Sequence, residues 1–173
     1  MKRILSLFAL VFITVISCQK PEAVTIVEEK ETTTFILVRH AEKAKDDPRN
    51  PSLSEEGSLR AESLAQHLSP MDIQGIYSTP FKRTITTVQP IADLKGLEVQ
   101  TYNYQDSLLL QNFMKAHSGE TIVISGHSNT TPVLVNQLIG EERFEWLNEN
   151  EYDKLFIVTA SEIGKGKVHI LSY

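Results

Sequence analysis

Two stretches of this chain, "FILV" at 35–38 and "TIVIS" at 121–125, stay apolar where a half-exposed strand would alternate, and each is soon followed by a histidine. A strand with one wet face alternates apolar and polar residues, whereas one covered on both faces does not need to. Two such strands require helices on both sides of one sheet. The segments between them supply those helices. Ser54 is a candidate N-cap for a helix whose acidic start, Glu55 and Glu56, suits the positive end of the dipole, with Gly57, Ala61, Leu64, Ala65 and Leu68 on one face. Further strands are expected at 73–78 and 97–102, and helices from about Phe81, over 106–117, and from 128 to a stop at Gly140. Pro90 is expected to kink or interrupt the second helix. Two last strands, "KLFIVTA" and "KVHILSY", flank a turn at Gly164–Gly166. The fold class this implies is α/β, a three-layer α/β/α sandwich around a mostly parallel sheet.

With 173 residues, 41% hydrophobic and 23% charged, the chain has room for one domain with a normal core. A formal net charge of -5 offers nucleic acid no general attraction, so an anion must be held by a few local cations. The first seventeen residues read as an export signal: Lys2 and Arg3, an apolar stretch from Ile4 to Ile16, then Ser17. Thirteen residues of helix reach about 20 Å, short of the ~30 Å membrane core. The one cysteine, Cys18, follows "VIS", and this quartet resembles the lipobox of bacterial lipoproteins, in which the cysteine is lipidated after cleavage. The expected organisation is therefore a signal peptide at 1–17, a lipidated tether at 18–33 and a folded domain at 34–173. The expected location is the bacterial cell envelope, with the membrane reached through lipid on Cys18.

In open α/β sheets, ligands sit beyond the carboxyl ends of the strands. Three such ends carry cations or histidines here: Arg39 and His40 after "FILV", Arg83 in "STPFKRT", and His127 in "VISGHSNT". Taken singly, each has an ordinary structural explanation, a salt bridge or a hydrogen-bonded core histidine. In order, "LVRHAEK", "LSEEG", "YSTPFKRT" and "VISGHSNT" resemble the histidine phosphatase superfamily, also called phosphoglycerate mutase-like, over roughly residues 34–160. The resemblance implies that His40 takes up a phosphoryl group and that Arg39, Arg83 and His127 bind its oxygens. It implies a short-form phosphatase acting on phosphomonoesters or other accessible phosphoryl groups, with little material for a lid. Mutase-type phosphotransfer, which needs a tight enclosure, is the weaker expectation.

The chemistry suits those residue types. A neutral imidazole nitrogen is a competent nucleophile, and phosphohistidine is labile enough to be hydrolysed. Guanidinium groups present paired donors to phosphate oxygens and stay charged. No cofactor is expected, and no helical zinc motif occurs in the sequence. Lys43 is close enough to add charge at the rim, or simply faces solvent. The general acid has two candidates. Asp106 also reads as an N-cap, and Glu42 also reads as a surface carboxylate. Ser128, directly after the second histidine, argues against a phytase-like arrangement, which would carry aspartate there. Two rival readings use the same residues: a non-catalytic envelope lipoprotein that binds a phosphorylated ligand, and a metal-binding protein using His40 and His127.

Overall fold

The computed structural model describes residues 31–173. The expected leader, Cys18 and nearly all of the tether lie outside the described residues. Ten elements follow in order: β1 Thr33–Arg39, α1 Glu55–Leu68, β2 Gly75–Ser78, α2 Lys82–Lys95, β3 Val99–Thr101, α3 Leu109–Ala116, β4 Thr121–Gly126, α4 Thr130–Ile139, β5 Lys154–Ala160 and β6 Lys167–Ser172. They form one six-stranded sheet ordered β3-β2-β4-β1-β5-β6. The four strands β3, β2, β4 and β1 are parallel, and β5 runs antiparallel to both β1 and β6. The sheet is thus mixed, with its antiparallel part confined to the last two strands.

Both faces are covered, which accounts for the unbroken apolar runs. Phe35 and Leu37 of β1 join Ile122 and Ile124 of β4 in a core beneath α3 and α4. Ile36, Val38 and Val123, the alternate residues, join Leu64, Leu68, Val88 and Ile91 of α1 and α2 on the other face. All four β1 residues are fully buried. At about 1.5–3 kcal/mol for each large apolar side chain, this is the main reason the two central strands hold still.

Helix α1 begins as its sequence requires, with the Ser54 hydroxyl accepting from the Gly57 amide at 3.1 Å. Helix α2 runs through Pro90 without interruption. Proline there removes one amide donor, and the burial of Thr87, Val88, Ile91 and Ala92 on the sheet outweighs that loss. Helix α4 stops at Gly140, whose φ of 75° lies in the left-handed region open to glycine.

Candidate active site

The sheet register brings the three strand ends together. Arg39 pairs with Gly126 and Ser78 with Ser125, so β2, β4 and β1, neighbours in the sheet, end side by side. The His40 amide extends the ladder by donating to the Gly126 carbonyl at 2.9 Å. His40 and His127 therefore emerge as neighbours, ring centroids 5.5 Å apart and edge to face. Arg83 arrives in the first turn of α2, three residues after the Pro80 bend that follows β2. Arg39, His40, Arg83, His127 and Lys43 all line one open cavity of about 610 Å³.

Arg39 is 2% exposed, and its setting decides what it can do. Nη1 donates to three backbone carbonyls, those of Asn148 at 2.6 Å, Glu149 at 3.2 Å and Glu151 at 3.0 Å. The Tyr152 ring lies 4.2 Å beneath the guanidinium. Nε is buried with no partner. Nη2 has only the Glu149 carboxylate, 3.9 Å away. A guanidinium held by one nitrogen keeps its Nε–Nη2 edge for two oxygens of a phosphate.

His40 is held in one tautomer. Its Nδ1 lies 2.8 Å from the Ala41 carbonyl, which can only accept, so Nδ1 carries the hydrogen. Burial, helped by the nearby charges of Arg83 and Arg39, lowers its pKa from 6.5 to about 3. The ring is neutral near pH 7, and Nε2 carries a free lone pair.

His127 is also neutral, lowered to about 4 by burial and then by Arg83 and Arg39. A directed chain sets its tautomer. Thr84 Oγ1 donates to the Thr79 carbonyl at 2.8 Å, Thr79 Oγ1 donates to Thr84 Oγ1 at 3.0 Å, and His127 Nε2 therefore donates to Thr79 Oγ1 at 3.0 Å. Arg83 Nη2, 3.3 Å from Nδ1, faces its lone pair. Only protonation at Nδ1 lets His127 give a phosphate oxygen a second N–H, and a dianion in the cavity favours that. Phe81 braces this side, its ring 4.7 Å from the Arg83 guanidinium carbon and 5.1 Å from the His127 ring.

The two candidate acids are not in the cavity. Glu42 is bound by Arg60, through Nε at 2.8 and 3.0 Å and Nη2 at 2.6 Å, and this pair ties the loop after β1 to α1. Asp106 faces a neighbouring pocket and accepts from the Leu108 amide at 2.9 Å. It does not cap α3, whose N-cap is Leu108. Among the described residues, no group of three or more His, Cys, Asp or Glu is placed to hold a metal ion.

Residues 35–103 match the model of the histidine phosphatase superfamily (branch 1). This stretch, well under half of the chain, is therefore similar to that superfamily. Phosphoserine phosphatase 1 of Hydrogenobacter thermophilus is 46% identical over 71 residues, 38% of this chain and 34% of that one. The matched stretch thus spans about a third of that relative's length. Among solved structures, a mycobacterial glucosyl-3-phosphoglycerate phosphatase superposes with a TM-score of 0.67 at 12% identity, covering 82% of this chain and 99% of that one. The protein histidine phosphatase SixA complexed with tungstate gives 0.66 at 19% identity, covering 80% and 96%. At these identities the two likenesses are of fold alone. The matched segment holds Arg39, His40 and Arg83 but ends before His127, which joins them through the β1–β4 pairing.

Several cavity residues carry no signal in the sequence. Lys45, Asp47 and Arg49 come from the loop after β1, Tyr104 from the loop after β3, and Glu149 from the segment before β5. The "ENEYD" run at 149–153 has no periodicity and looks like solvated charge. Its role comes from its backbone carbonyls, which residue identities do not reveal.

Proposed function

We propose that this chain is a phosphatase that moves the phosphoryl group of a small phosphomonoester onto Nε2 of His40 and from there to water. The observation that carries this reading is that a neutral His40, its Nε2 free, and an Arg39 whose Nε has no hydrogen-bond partner line the same cavity. The Ala41 carbonyl stabilises the positive charge that spreads over the ring as the N–P bond forms. Arg39 and Arg83 hold the equatorial oxygens where charge develops.

The substrate class follows from charge. Arg39, Lys43, Lys45, Arg49 and Arg83 face only Asp47 and Glu149 around the cavity. A phosphate dianion does not balance that excess. We therefore favour a phosphomonoester with a second anionic group near Lys45 and Arg49, in keeping with the activity named for the phosphoserine phosphatase relative.

Turnover of p-nitrophenyl phosphate by the wild type and by His40→Ala tests the reading. The wild type should form an acid-labile, base-stable phosphoenzyme and His40→Ala should form none. Equal turnover by the two proteins would overturn it. Attachment to a membrane through lipid on Cys18 remains part of the proposal. No described helix is long and apolar enough to cross a membrane. Cys18→Ala should release the protein from the membrane fraction, and unchanged partitioning would remove that part.

A further inference from the structure

An alkoxide is a poor leaving group unless it is protonated as it departs, and neither Glu42 nor Asp106 reaches the cavity. Two carboxylates among the described residues do line it, Asp47 and Glu149. Asp47 is turned into its own loop, where Oδ1 accepts from the amides of Arg49 at 2.9 Å and Asn50 at 3.2 Å. Those two amides favour the ionised form, which cannot donate.

Glu149 is differently placed. Its carboxylate accepts no hydrogen bond and is 79% exposed, with Oε2 3.7 Å from Lys43 Nζ and 3.9 Å from Arg39 Nη2. Its backbone is nevertheless pinned by Arg39 Nη1, which gathers the carbonyls of residues 148, 149 and 151. The Asn148 amide and side chain tie the same turn to the Glu151 carboxylate at 2.7 and 3.0 Å. Tyr152, three residues on, lies beside His40 with ring centroids 6.1 Å apart. A pinned backbone thus carries an exposed carboxylate beside Arg39 Nη2, where the proposed phosphoryl group would bind. A dianion there places like charge beside the carboxylate, and a proton between them relieves it.

We propose that Glu149 is the proton-transfer group of the reaction, an inference that rests on the phosphatase reading above. In the first step the Nε2–P bond forms, the P–O bond to the leaving group breaks, and the proton of the Glu149 carboxyl passes to the departing oxygen. In the second, the water oxygen bonds to phosphorus, the Nε2–P bond breaks, and a proton of that water passes to the Glu149 carboxylate. Phosphate leaves with the carboxyl ready for the next cycle.

The test uses leaving groups of different basicity. Nitrophenolate departs without a proton and the alkoxide of glycerol 3-phosphate does not, and kcat/KM reports only the steps up to phosphoenzyme formation. Glu149→Gln should lower kcat/KM for glycerol 3-phosphate by about 100-fold or more and for p-nitrophenyl phosphate by less than about threefold. Glu149→Asp should recover part of the alkyl activity. Equal effects on both substrates, or none on either, would overturn the assignment, because a carboxylate that only tunes charge at the rim does not distinguish leaving groups. His40→Ala is the control. Should it hydrolyse the aryl phosphate as fast as the wild type, the phosphatase reading itself fails, whatever Glu149 does.

Discussion

Replacing Gly57 with alanine adds one methyl group where α1 lies against the backbone that follows His40. A Cβ there would collide with the Glu42 carbonyl oxygen and sit 2.9 Å from the Glu42 nitrogen and 3.0 Å from its carbonyl carbon. Two effects of opposite sign compete. Alanine is the better helix former by about 1 kcal/mol. The methyl, however, meets backbone rather than a side chain that could swing away, so helix and loop must part by about 1 Å, at a typical overpacking cost of about 1–3 kcal/mol. The displaced Glu42 carbonyl also accepts from the Ser54 amide at 2.9 Å and the Ser54 hydroxyl at 3.3 Å, so the start of α1 is disturbed as well. The expected balance is a loss of about 1–2 kcal/mol in urea unfolding. Because Glu42 is two residues from His40, kcat/KM for an aryl phosphate should fall at least about tenfold. A Gly57→Ala protein that is more stable by about 1 kcal/mol and fully active would refute the idea that this contact holds the loop carrying His40.

Stability should also depend on pH through His40, whose pKa is about 3 folded against ~6.5 unfolded. Between those values the unfolded chain binds a proton that the folded one does not, so stability falls as pH drops below about 6.5, by up to ~1.4 kcal/mol per unit, and levels off near pH 3. Urea midpoints at pH 7 and pH 5 should converge for His40→Asn relative to wild type, and an unchanged gap would count against this account. Arg39→Lys cannot gather three carbonyls and span two phosphate oxygens, so it should cost about 3 kcal/mol in unfolding as well as activity, and a loss below 1 kcal/mol would be inconsistent with the clasp. Tyr77→Phe, which removes the 2.6 Å hydrogen bond to His117 Nε2 away from the cavity, should cost about 1 kcal/mol and leave kcat/KM unchanged, as measured by denaturation and aryl phosphate turnover.

The layered fold was legible because burial on both faces leaves a mark on residue type. "FILV" and "TIVIS" could only be covered strands, and Ser54 and Gly140 bounded their helices by local chemistry that the chain carries with it. Arg39, His40, Arg83 and His127 were legible for a related reason: each follows a strand, and the parallel register of β2, β4 and β1 sets such ends side by side. The carboxylate proposed above as the proton donor was not legible. Glu42 is a carboxylate two residues after His40, yet Arg60, 18 residues away, claims it. Asp106 lies in a loop whose next helix turns it toward another pocket. Glu149 sits 109 residues after His40 in a run of charges without pattern, and only the clasp of Arg39 on three carbonyls brings it to the cavity. Local sequence determines what each segment prefers to bury and where it turns. Which exposed carboxylate meets which buried guanidinium depends on contacts between distant segments, and for those the tertiary structure alone decides.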